Sequence, residues 1–173
     1  IYVSDRYAVA AHVPTDQFTW FDITSSTRPV SLGIQSFADR ALTHLVLQGD
    51  YMFTAFASTN KLYITDLRDG NLTEVSSIAF SSVPRWFSVQ SKYVYVFHHD
   101  KKLRIVDISN PRSPVLVSTF TPVSTDTAKR IVVRGKYAYL QFEFSSRVEI
   151  LDISDPYNPV SLTTTTSVET NDI

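Results

Sequence analysis

The chain has 173 residues, no cysteine, and 16 Lys and Arg against 17 Asp and Glu. This excludes a disulfide framework and thiolate chemistry, and it gives no global field that would favour nucleic acid or an anionic membrane surface. No stretch shows a helical period, and none approaches the length of an apolar membrane span, so direct membrane insertion is not expected.

From the N-terminus, one frame is written four times. Tyr7, Tyr51, Tyr93 and Tyr137 form one column, and Asp22, Asp66, Asp107 and Asp152 form a second, 15, 15, 14 and 15 residues later. Six residues before each tyrosine stand Ile1, Leu45, Phe87 and Ile131; two before each aspartate stand Trp20, Ile64, Ile105 and Ile150. Successive tyrosines lie 44, 42 and 44 residues apart. A period of that length, built from short strands, is the signature of a β-propeller blade. The expected fold is therefore all-β: four consecutive four-stranded antiparallel blades over about 1–41, 42–84, 85–127 and 128–170, with 171–173 in phase to begin a fifth.

Within a copy, four strands are expected, as in 131–134, 137–144, 148–153 and 159 to about 166. Aromatic and β-branched residues dominate them. The third is apolar on both faces, with Val148 and Ile150 on one and Leu151 and Ile153 on the other. A blade flanked by two others would bury both. The turn after each aspartate varies: Asp107–Pro111 and Asp152–Pro156 end in proline, whereas copy two uses Arg68–Asn71 with Gly70. Proline cannot donate to a ladder and belongs outside it.

Residues 135–139 (GKYAY), 148–156 (VEILDISDP) and 159–162 (PVSL), together with 103–111 (LRIVDISNP), resemble the LVIVD repeat. Copies three and four carry the likeness most fully; copies one and two diverge. The resemblance implies a β-propeller of the kind found on secreted or surface proteins of bacteria and archaea, and it carries no catalytic motif. The four copies are expected to form an arc of a larger ring, completed by further blades of the same protein or by a second chain.

Candidate sites follow from phase. The aspartate column, Asp22, Asp66, Asp107 and Asp152, is expected to cap its own turns, and Asp66, Asp107 and Asp152 are expected to be more than half buried and to accept N–H groups there. The four lie in different blades, too far apart for one metal ion. His98-His99-Asp100 is the densest metal-like run, but adjacent strand residues face opposite ways, so a solvated hairpin is expected there. No metal site and no cofactor are expected. Asn71-Leu72-Thr73 is a glycosylation sequon in a turn.

The links between blades, 33–43, 80–85 and 121–129, share one rim with the hairpins between second and third strands. His44, Arg85, Trp86, Lys129 and Arg130 stand where each innermost strand begins, and they vary while the frame holds. Variable loops on a fixed scaffold are where binding resides, and cationic and aromatic types suit an anion, a glycan or an acidic peptide. No nucleophile elbow, zinc-protease motif, phosphate loop or dinucleotide fingerprint is present. The expected role is a non-catalytic extracellular or cell-surface scaffold that binds protein or glycan. Two alternatives stay open. One is a structural segment of a surface filament or larger surface protein. The more distant one is a propeller enzyme, such as a glycosidase with two carboxylates from separate blades.

Overall fold

The computed structural model describes residues 1–12, 17–37, 41–68, 70, 72–145 and 147–165. Among them the secondary structure is sixteen strands and no helix. Copy one gives β1 (Tyr2–Val3), β2 (Tyr7–His12), β3 (Gln17–Asp22) and β4 (Val30–Ser36). Copy two gives β5 (Leu42–Gln48), β6 (Tyr51–Phe56), β7 (Lys61–Asp66) and β8 (Thr73–Ala79). Copy three gives β9 (Pro84–Gln90), β10 (Tyr93–His98), β11 (Leu103–Asp107) and β12 (Val115–Phe120). Copy four gives β13 (Ala128–Arg134), β14 (Tyr137–Phe142), β15 (Val148–Asp152) and β16 (Val160–Thr165). Each set of four is its own antiparallel sheet, with strands paired in sequence order.

The repeat extends to backbone detail. In every copy the residue after the aspartate donates its N–H to the carbonyl before the tyrosine: Ile23 to Arg6, Leu67 to Asp50, Ile108 to Lys92 and Ile153 to Lys136, at 2.8–2.9 Å. Tyrosine and aspartate are thus register partners, as Tyr93 and Asp107 or Tyr137 and Asp152. Each third-to-fourth strand ladder slips by one residue at the same column, between Trp20 and Phe21, Ile64 and Thr65, Ile105 and Val106, and Ile150 and Leu151. A recurring bulge bends the outer strand and sharpens the twist. Gly33 lies inside β4, not at the start of a link as its sequence position suggests. Its φ of +146° and the Trp20 ring, 3.0 Å from where a Cβ would stand, admit only glycine.

The packing divides into two compact units, Ile1–Val83 with Pro111–Ser113, and Pro84–Asn110 with Pro114–Ile173. The first has a core rich in aromatic rings: Tyr7, Phe18, Trp20, Phe37, Phe56 and Tyr63 join Val9, Leu45, Met52 and Leu67. The second is mostly aliphatic, with Leu103, Ile105, Ile131, Leu140, Leu151 and Ile153 around Tyr95, Phe97 and Phe142. Side-chain latches tie neighbouring copies. In the second unit Gln90 and Gly135 exchange two hydrogen bonds, of 2.7 and 2.8 Å, and Ser118 donates to the Pro156 carbonyl at 2.7 Å. In the first, Ser4 donates to the Gly49 carbonyl from the same repeat position as Gln90.

The expectation that the third strand of copy four is buried on both faces is not met. Leu151 and Glu149 are buried, while Val148 and Ile150 on the other face are only partly covered. Register places Val132, Tyr139 and Ile150 in one row across that face, and Val132 and Tyr139 are exposed. The apolar core of the second unit covers only the Leu151 side. Strands β7 and β11, in contrast, are buried along nearly their whole length.

Candidate functional site

The aspartate column is a set of turn braces. Asp22 Oδ1 accepts the Thr24 N–H at 2.9 Å, Asp66 that of Arg68 at 3.0 Å, Asp107 that of Ser109 at 2.7 Å and Asp152 that of Ser154 at 2.8 Å. The side chain two residues on also bonds the carboxylate: a hydroxyl from Thr24, Ser109 or Ser154, and in copy two the Arg68 guanidinium. These bonds hold all four carboxyls below the usual range, the neighbouring side chain being the largest cause in each case.

Copy two shows why its turn differs. Elsewhere the residue before the tyrosine lays a cation on the ring: Arg6 over Tyr7 at 5.1 Å, Lys92 over Tyr93 at 5.4 Å and Lys136 over Tyr137 at 5.2 Å. Copy two has Asp50 in that place, and Arg68 reaches across from the turn to lie 5.6 Å from the Tyr51 centroid. One arginine thus fills two columns, bracing Asp66 and covering the ring.

The His98–Asp100 hairpin is exposed at His99 and Asp100, as a solvated turn would be, but not at His98. His98 is fully buried at the end of β10, and the carboxylate of Asp100 turns back to grip Arg104 at 2.6 and 2.9 Å. Arg104 is itself buried, so this pair is built into the sheet. Burial follows because β10 is covered on both faces. Among the described residues no three His, Cys, Asp or Glu side chains gather as a metal site would require. Asn71 lies outside the described residues.

The residues expected at the rim fall on a second recurring bulge. In β5 the ladder steps from Leu42 to His44, in β9 from Pro84 to Trp86, and in β13 from Ala128 to Arg130. The skipped residues are Thr43, Arg85 and Lys129. A bulge leaves its extra residue unpaired and re-aims its side chain. In the second unit β9 and β13 pack side by side, which brings Arg85, Trp86, Lys129 and Arg130 to the same end of neighbouring strands. Lys129 and Arg130 are exposed, and Arg85 and Trp86 half-buried. Trp86 rests on the core. Among the described residues neither Arg85 nor Lys129 has a carboxylate partner. His44 belongs to the first unit, where its ring meets Tyr2 edge-on at 6.2 Å.

The link beside this group is anchored by residues that the sequence did not single out as a site. Glu149, fully buried, accepts the Val123 N–H at 3.0 Å. Asp126 accepts the N–H groups of Phe144 and Ser145 at 2.9 and 2.7 Å, joining the link to the β14–β15 hairpin. Burial pushes its carboxyl up, but the N–H groups of Ser145, Thr127 and Phe144 together outweigh this and hold it below the usual range. Lys101 donates to the Thr125 carbonyl. The signal available for Glu149 was a carboxylate in a column otherwise held by Thr19, Tyr63 and Arg104.

Solved structures share this architecture. The β-propeller domain of Cps50 (Swd1) from Myceliophteria thermophila matches with a TM-score of 0.74 at 16% identity, over 94% of this chain and 56% of that one. A protein from Lactobacillus plantarum matches at 0.77 and 14%, over 99% and 57%. A candidate 6-phosphogluconolactonase from Bacteroides fragilis matches at 0.75 and 12%, over 95% and 56%. The chain thus spans a little over half the length of each. At these identities the likeness defines the fold, and the fold is a β-propeller. The LVIVD repeat family model matches residues 87–121 and 126–166, in the C-terminal half of the chain. No curated protein matches the sequence.

Proposed function

We propose that the protein is a non-catalytic binding scaffold whose second unit presents a cationic and aromatic rim to an acidic protein segment or an anionic glycan. One observation carries this reading: matching bulges leave Arg85 and Lys129 unpaired at the same end of adjacent strands, beside Trp86 and Arg130. A guanidinium grips a carboxylate in two places, and an indole gives a ligand a flat apolar wall. The anchored link and hairpin hold the loops around the group in one arrangement, which lowers the ordering cost of binding. A scaffold of this composition suits the cell surface or the extracellular space, and the second sheet face of copy four suits a further blade.

Titration with a heparin-derived hexasaccharide and with a hexaglutamate peptide tests this proposal. Saturable binding is expected for at least one of them. The triple variant Arg85→Ala, Lys129→Ala, Arg130→Ala should weaken it by about tenfold or more. Binding to neither probe, or binding unchanged in the triple variant, would sink the reading.

A further inference from the structure

The seam between the two sheets of the first unit is hollow. A cavity of about 320 Å³ opens there, walled by the rings of Phe18, Phe37, Phe56 and Tyr63. The rings form a chain: Phe18 stacks on Phe37 at 4.1 Å, Phe37 lies 5.5 Å from Phe56, and Phe56 meets Tyr63 edge-on at 5.4 Å. Two threonines complete the wall on the copy-two side. Thr54 is opposite Tyr63, and Thr65 opposite Met52, in the β6–β7 ladder. Glu74 stands beside Thr65 in the β7–β8 ladder and also lines the cavity.

These polar residues occupy columns that are otherwise apolar in the best-conserved copies. At the position of Thr54, copies three and four carry Val96 and Leu140; at that of Thr65 they carry Val106 and Leu151. At the position of Glu74, the other three copies all carry valine, as Val30, Val115 and Val160. Thr54 and Thr65 are 2% and 7% exposed. Copy two therefore gives up aliphatic packing at Thr54 and Thr65, where copies three and four bury Val96, Leu140, Val106 and Leu151, and sets the exposed Glu74 beside them at the same cavity. That cavity lies within the size range of small-molecule sites.

The structure assigns this hollow as a binding site for a small organic amine with an apolar body about one ring in size. Glu74 is the charged group among the described lining residues, so an ammonium finds a counter-charge there and an anion does not. Ring faces attract a cation further. The threonine hydroxyls accept N–H groups, and the apolar body displaces water from between the rings. This site is separate from the rim of the second unit and does not rest on it.

Calorimetric titration of the full chain with phenethylamine, 2-phenylethanol and phenylacetate tests the assignment. One-to-one saturable binding of the amine is expected, about tenfold tighter than the alcohol or the acid. The double variant Thr54→Val, Thr65→Val should lose about tenfold in amine affinity, whereas Thr65→Ser should retain it. Glu74→Gln should bring the amine down toward the alcohol. Should the double variant fail to fold, the single Thr65→Val and Thr65→Ser variants carry the same comparison. The assignment is overturned by a folded chain that shows no saturable amine binding, by alcohol or acid binding as tight as the amine, or by amine binding indifferent to the threonines.

Discussion

The seam between copies one and two and the seam between copies three and four use the same columns and reach opposite ends. In the second unit, Leu103 and Ile105 of one sheet face Leu140 and Leu151 of the next, in a core that is mostly aliphatic. Glu149, a buried polar residue of that face, is occupied in holding the link through Val123. In the first unit the corresponding columns hold Phe18 and Trp20 against Thr54 and Thr65, and the link contributes Phe37 as a stacked ring. Branched aliphatics interdigitate and fill space, whereas flat rings opposite short hydroxylic side chains leave a gap. One repeat can thus close a seam or open it by changing three or four residues and leaving its hydrogen-bond frame alone.

The largest test of this contrast is truncation at a shared column. Leu151→Ala should cost about 2–5 kcal/mol, as a filled core does, and Thr65→Ala less than about 1 kcal/mol. Urea unfolding followed by tryptophan emission in Trp20→Phe and Trp86→Phe backgrounds reads each unit separately, and equal losses would break the comparison. Next comes the link. Glu149→Ala should cost about 1–3 kcal/mol by orphaning the Val123 N–H and should speed its hydrogen exchange. Glu149→Gln, whose amide oxygen still accepts, should restore most of the protection; an exchange rate unmoved by either variant would show that Glu149 does not anchor the link.

Smaller effects come from the turns. Asp66→Ala should cost about 1–3 kcal/mol, and Arg68→Ala less, because that side chain is 51% exposed. The reverse order in thermal unfolding would mean that the cation over Tyr51 outweighs the turn brace. Acid should act on all four turns together. Their carboxyls are depressed in the folded chain, so the stability they contribute is present above about pH 4 and is lost as pH falls below it. Melting temperatures that stay level from pH 5 to pH 3 would contradict this.

Most of the frame was legible because a repeat prints each structural requirement four times. The tyrosine–aspartate offset is the register pair itself, and the apolar columns are the core faces. The turn aspartates could be read from phase alone. Burial that depends on what lies across a face could not. Ile150 looks as buried in sequence as Ile105, yet Ile105 is enclosed and Ile150 is only partly covered. Nor could long-range replacement: Arg68 covering for Asp50 needs the turn and the tyrosine to be known neighbours. The rim residues were identified by variability, but the bulge that displays Arg85 and Lys129 shows only in the ladders. The hollow seam went unread because threonine is an ordinary strand residue, and only the columns beside it reveal what it replaces.

The central claim, that the two seams differ in kind, is tested most directly by methyl-labelled NMR spectra recorded while phenethylamine is added. The account predicts saturable shifts of Met52 and Leu72 methyls in the first unit, with Leu103, Leu140 and Leu151 of the second unmoved. Equal shifts in both seams, or shifts confined to the second, would contradict it.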